Sequence, residues 1–153
     1  MPQKLLNLNK KKSDIYQINA EEVDYLYTQK SQIPDAGKGL FTAVTIFKDE
    51  IISYFKGELL SKKEAVEKIN KNEDAYFINM LDGNILDSMN VPCFAKYAND
   101  PAGIIKTSFK SNSKITLDEL EQVCLVAKRK IKTGEEIFCA YGKNYWKKYQ
   151  QKK

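Results

Sequence analysis

The chain predicts a mainly β fold with a few short helices, and three observations carry that reading. Short apolar and β-branched runs recur along it, each closed by Gly, Pro, Asn or Asp. Only one stretch, 62–71, has a strong helix signature. No internal repeat and no alternation of strands with long helical segments is present, which argues against a βαβ architecture.

Taken in order, residues 1–22 are polar and Lys/Asn-rich and read as an N-terminal extension, with a helical start near Ala20-Glu21-Glu22. The β-branched and aromatic residues of 23–33 predict a strand, stopped by Pro34-Asp35-Ala36-Gly37. Gly37-Lys38-Gly39 follows, where two glycines allow a backbone to pass close to a ligand. With no third glycine and no following helix, this is not a dinucleotide fingerprint. Residues 43–46 and 51–55 read as strands around the turn Lys48-Asp49-Glu50. Ser61-x-x-Glu64 is a capping box that opens the helix 62–71, with Ala65, Val66 and Ile69 on one apolar face. Residues 76–81 and 85–86 predict a hairpin around Asp82-Gly83-Asn84. Residues 93–98 are short and mixed, and Asn99-Asp100-Pro101-Ala102-Gly103 is a dense turn cluster. Residues 115–117 and 123–127 read as a strand pair, with a helix cap at Thr116-x-x-Glu119 as the rival reading. A basic segment from Lys128 leads to the turn at Thr133-Gly134, then to a buried strand over 137–140. Residues 143–153 predict a terminal helix carrying Tyr145 and Trp146.

Composition narrows the chemistry. At 153 residues the chain has the length of a single domain with its own core. It is 42% hydrophobic and 11% aromatic, which favours a folded globule over a disordered chain. The most decisive feature is the absence of histidine. That removes Ser-His-Asp and Cys-His nucleophile pairs and any imidazole acid–base step. Cys93, Cys124 and Cys139 are isolated and odd in number, so they read as small reduced hydrophobes rather than disulfides or zinc ligands. A metal site is not expected. The net charge of +5 is modest, and its lysine runs read as solvated tails, with nucleic acid a minor partner class. No apolar run reaches membrane-spanning length and the N-terminus lacks a signal-peptide core, so an intracellular protein without membrane attachment is expected.

Tyr141 ends the last strand immediately before Gly142, where the chain must bend. Such a phenol either packs in the core with its hydroxyl satisfied at the surface or places that hydroxyl in a cleft. Spacing alone leaves both open.

Five blocks, in order, resemble the SET domain of protein-lysine methyltransferases. Gly37-Lys38-Gly39-Leu40-Phe41 resembles the opening G-x-G block, and YFKGE over 54–58 resembles Y-x-G-E with one extra residue or with Phe55 in place of the Tyr. Tyr76-Phe77 with Asp87 resembles Y-x-F…D, and Ala95-Lys96-Tyr97-Ala98-Asn99 the first half of the A-R-F/Y-x-N-H-S-C block. Gly134-Glu135-Glu136-Ile137 with Tyr141-Gly142 resembles the closing block. The likeness covers residues 23–142 and implies a SET-type β fold of several small sheets. Two departures stand out. Asp100 and Ala102 occupy the places of the family His and Cys, and the zinc-binding cysteines that follow the domain in many members are missing.

The resemblance implies a lysine N-methyltransferase that uses S-adenosyl-L-methionine and takes a lysine-containing protein or peptide, histones among the candidates. Tyr141 is then the catalytic tyrosine and Tyr76 lines the lysine channel. The backbone at Gly37, Lys38 and Gly39, with Tyr97 and Asn99, holds the cofactor, and Trp146 closes over its adenine. Cys139 stands where members carry a larger aromatic that limits the degree of methylation, so higher methylation states are expected. The alternative from another class is a SET-like module that binds a partner or peptide without catalysis, prompted by Asp100 and Ala102.

Overall fold

The computed structural model describes residues 16–80, 83–103 and 105–141. The described residues form three small sheets rather than one large one, because the strands are short and the turns frequent. Strand β1 (Tyr16–Gln17) leads to a one-turn helix α1 (Glu22–Tyr25) and on to β2 (Leu26–Lys30) and β3 (Lys38–Thr42). After β4 (Glu50–Tyr54) and β5 (Glu58–Leu60) comes helix α2 (Lys62–Asn70), then the hairpin of β6 (Phe77–Asn79) and β7 (Ile85–Asp87). A 3₁₀ turn (Ala95–Tyr97) precedes β8 (Ser113–Leu117), β9 (Val123–Ala127) and β10 (Glu136–Ile137). The sheets have strand orders β1-β4-β9-β8, β10-β3-β2 and β5-β7-β6.

The main core is built from Leu40 of β3, Ile52 of β4, Leu125 and Ala127 of β9, and Ile137 of β10, with Ile46 and Ile131 closing one end. On β9 the side chains alternate between this cluster and a second one made by Ile51, Cys124 and Val126. All five residues of β9 are therefore buried, which is why the run reads as continuously apolar.

Most of the predicted elements are present. The Ser61 hydroxyl accepts the Glu64 N–H at 3.2 Å while the Glu64 carboxylate accepts the Ser61 N–H at 3.1 Å, so both halves of the capping box form. The hairpin forms around Gly83, which has φ +89°. The strand pair β8–β9 forms in antiparallel register, so the helix cap at Thr116 is not used. The turn at Thr133-Gly134 places Gly134 at φ +86°.

Three expectations need correction. Residues 23–33 are not one strand: Glu22–Tyr25 form a helical turn and the strand is Leu26–Lys30. Here tertiary bonds override β propensity. The Tyr25 hydroxyl donates to the Ile52 carbonyl at 2.6 Å, and the Glu22 carboxylate takes the Ser53 hydroxyl and the Tyr54 N–H. The strand expected over 43–46 is a loop after β3, with only Ile46 bridged, to Ile131. On α2, Ala65 is buried but Val66 is 53% exposed, so the apolar face is narrower than the spacing predicts. Within the stretch read as an N-terminal extension, Tyr16 and Gln17 pair in parallel with Glu50 and Ile51. The expected helix over 143–153 lies outside the described residues.

The three cysteines are free and buried. Among the described residues no helix is long and apolar enough to cross a membrane.

Candidate active site

Three chain segments separated in sequence meet beside the core: the start of β3 at 38–39, the segment 97–100 after the 3₁₀ turn, and the segment 138–141 after β10. Asn99 joins all three. Its side-chain amide donates to the Lys38 carbonyl at 3.0 Å, and its own carbonyl accepts the Cys139 N–H at 3.0 Å. Asn99 and Phe138 form a parallel bridge. The amide of Asn112, fully buried, accepts from the Phe138 N–H and donates to the Glu136 carbonyl, both at 2.9 Å, and so holds the final strand straight.

Tyr141 arrives at the end of this segment. Its N–H donates to Asp100 Oδ2 at 2.8 Å and its hydroxyl donates to the Ala98 carbonyl at 2.7 Å. The ring packs against the main core yet remains partly exposed. Two oxygens, Tyr141 Oη and Ala98 O, thus lie side by side. The Cys139 thiol faces the same carbonyl at 3.7 Å, and burial, with the Asp100 charge behind it, pushes that thiol up to about 12.

The two glycines of the 37–39 block serve different ends. Gly37 has φ +72°, and among the described residues nothing beyond its chain neighbours lies within 4 Å of where a Cβ would stand. At Gly39 a Cβ would lie 2.2 Å from Glu136 Oε2. The close approach there is to the protein's own carboxylate, which is 2% exposed and accepts the Ser31 hydroxyl at 2.6 Å and the Gln32 N–H at 2.8 Å. Glu136 thereby fixes the loop that leads into Gly37.

Lys96, Tyr97 and Tyr76 form a second cluster. The Lys96 ammonium donates to the carbonyls of Ser88, Met89 and Val91 and lies 5.4 Å from the Tyr97 ring centroid and 5.5 Å from that of Tyr76. Tyr97 packs on the core, while Tyr76 is 36% exposed, its phenol pushed up by burial and then by Tyr97. Of the predicted residues, Asn99 bonds directly to Lys38, and Tyr141 is bonded to the same segment through Ala98 and Asp100; Gly39 lies against Glu136 instead. Tyr76 is linked through Lys96 and Tyr97. Trp146 lies outside the described residues. Asp100, Asn112, Ser31 and Glu136 were not singled out as site residues from the sequence, because their partners are remote in the chain.

A shallow cleft elsewhere, lined by Gln17, Glu22, Tyr25, Ser53 and Tyr54, contains none of the predicted site residues. Its acid, Glu22, is already engaged by Ser53 and Tyr54.

The site fits a cationic, methyl-bearing ligand in its donor set. The groups gathered at 38–39, 97–100 and 141 are carbonyl oxygens, the Asn99 amide, the Asp100 carboxylate, a phenol and an aromatic ring, next to the backbone at Gly37. Such groups suit a sulfonium and the amino-acid end of S-adenosylmethionine.

A small mainly-β domain that ties its first glycine block and Tyr141 to one segment, 98–100, defines a class, and comparison with known proteins gives that class its name. The SET domain model matches residues 37–142, and the chain belongs to the SET domain family. Among the solved structures it resembles is a humanized mutant of the Chaetomium thermophilum Polycomb Repressive Complex 2 bound to the inhibitor GSK126. That structure is 26% identical, with a TM-score of 0.64 over 78% of this chain, and the match spans 15% of the chain in that complex. No curated protein matches the sequence.

Proposed function

We propose that the chain is a protein-lysine N-methyltransferase in which Tyr141 aligns a neutral lysine amine for in-line transfer. The observation that carries this reading is the bond from Tyr141 Oη to the Ala98 carbonyl, on a segment tied through Asn99 to Lys38. S-adenosylmethionine, when bound, supplies an electrophilic methyl on a sulfonium. Residues of this chain do the rest by placement. The backbone at Gly37 and Lys38, with Tyr97 and Asn99, binds and orients the cofactor. The paired oxygens of Tyr141 and Ala98 would face the reacting methyl and the amine, where such oxygens can accept weak C–H···O contacts and hold the amine in line. Tyr76, more exposed, lines the approach of the lysine.

No histidine is available as a base, so the amine must arrive neutral. An unperturbed lysine titrates near ~10.4, and deprotonating it at neutral pH costs about 4 kcal/mol. A positive charge beside the amine and a water-poor channel both lower that cost. Alignment supplies the remainder, which is the kind of acceleration a fixed phenol and fixed carbonyls can give.

The test is methyl transfer from labelled S-adenosylmethionine to a panel of lysine-rich proteins, histones included, with Tyr141→Phe as control. The wild type is expected to label lysine, and Tyr141→Phe to lose about 10²-fold or more in kcat. If wild type and mutant are equally inert, the chain is a binding module and the reading fails. Cys139 adds a finer expectation: with a small side chain beside Ala98, the products include di- and trimethyl-lysine. Cys139→Phe shifts them toward monomethyl-lysine, read by mass spectrometry of the product peptide.

A further inference from the structure

Asp100 stands where the family carries His, and the structure gives it a defined task. It is 6% exposed, and its two carboxylate oxygens are both engaged by backbone N–H groups. Oδ1 accepts from Ala102 at 2.8 Å and closes the turn over Pro101. Oδ2 accepts from Tyr141 at 2.8 Å, across 41 positions of sequence.

The second bond replaces one that the backbone cannot make. Residues 138–139 run parallel to 99, with Cys139 N–H bonded to the Asn99 carbonyl. Continued for two residues, a parallel ladder would carry the Tyr141 N–H to the Pro101 carbonyl. The chain turns away at Pro101, whose carbonyl accepts from the Thr107 hydroxyl at 3.4 Å. The Asp100 side chain takes the Tyr141 N–H in its place. Tyr141 is then held at both ends by the 98–100 segment, its amide by Asp100 and its hydroxyl by Ala98. Two anchors on one short segment fix where the phenol points.

We propose that Asp100 is a positioning residue for Tyr141, using its carboxylate to fix the tyrosine amide and thereby the direction of the hydroxyl. This deepens the methyltransferase reading and rests on it. Asp100→Asn keeps the size but replaces one acceptor oxygen with an NH₂ group; Asp100→Ser removes the reach to Tyr141. Amide hydrogen exchange at Tyr141 and steady-state kinetics, both on the full chain, are the paired readouts.

In Asp100→Asn the Tyr141 amide is expected to exchange at least about tenfold faster. The kcat is expected to fall about 10- to 100-fold, as for a displaced catalytic group. The KM for cofactor should stay within about threefold of wild type, because the lost interaction acts in the transition state. Should Asp100→Asn fail to melt cooperatively, the same comparison is made on Asp100→Ser. Unchanged kcat with a deprotected Tyr141 amide overturns the inference, as does a raised cofactor KM at constant kcat, which would assign Asp100 to cofactor binding. An inert wild type overturns the functional reading and this inference together, whereas an active wild type with an equally active variant overturns the inference alone.

Discussion

Gly57 shows how much of a motif is steric. A Cβ there would lie 2.4 Å from the Asp87 carbonyl oxygen and 3.1 Å from the Ser88 nitrogen, both backbone atoms that cannot swing aside. Gly57→Ala is therefore expected to destabilise the fold by about 1–3 kcal/mol, measured by urea denaturation. An unchanged midpoint would mean that β5 and β7 can separate without loss. From the sequence, Gly57 is legible as a letter of the YFKGE block, but the carbonyl that demands it is not. The same holds for the polar residues that fix the site. Asn112 meets Glu136 across 24 positions, Asp100 meets Tyr141 across 41, and Ser31 meets Glu136 across 105. No local pattern announces such pairs. Tyr141 stands out only through the family blocks, because its local signal, an apolar run and then a glycine, leaves a core position and a cleft position both open.

At the scale of elements, local chemistry succeeds where the stabilising bonds are local. The cap on α2 is contained within four residues, so Ser61 and Glu64 could be read directly. Ser61→Ala should cost about 1 kcal/mol, checked by chemical denaturation, and should leave the proposed methyl transfer unchanged, since the cap bonds stay within 61–64. Loss of activity without loss of stability would show that the helix has a part in the site. The helical turn at Glu22–Tyr25 is the opposite case. Val23 and Tyr25 favour a strand, but the bonds of the turn run to Ile52, Ser53 and Tyr54, about thirty positions away. Likewise β3 and β10 are held by their partners more than by their own composition, and 43–46, equally apolar, is left as a loop. Strand signals therefore located the sheets and misplaced some of their ends.

For the whole molecule, the order of five short blocks was enough to identify the family, and in two of them, at Gly39 and Gly57, the chain passes too close to another part of itself for a side chain. What that order could not convey is the depth at which the remaining ionisable groups are buried, and this sets the behaviour at high pH. Burial pushes the Cys124 and Cys139 thiols from the usual 9.0 up to about 12, with the charges of Asp118 and Asp100 adding to it respectively. Tyr54 is also pushed up to about 12, chiefly by burial. In the unfolded chain these thiols lose their protons near 9, while in the folded protein they keep them until about 12. Over that window the unfolded state binds fewer protons, so stability falls as pH rises; below it the contribution is constant. The Lys68–Asp87 pair adds to the same limb, because the bond to Asp87 holds the Lys68 pKa above its ordinary value and its stabilisation disappears once that lysine deprotonates. Urea midpoints should accordingly decline from about pH 8 to about pH 10.5, and less steeply in Cys124→Ala than in wild type. That difference isolates the thiol from the lysines. Parallel declines in the two proteins would mean that Cys124 ionises alike in both states, and that the face of β9 shared with Ile51 and Val126 is open to water.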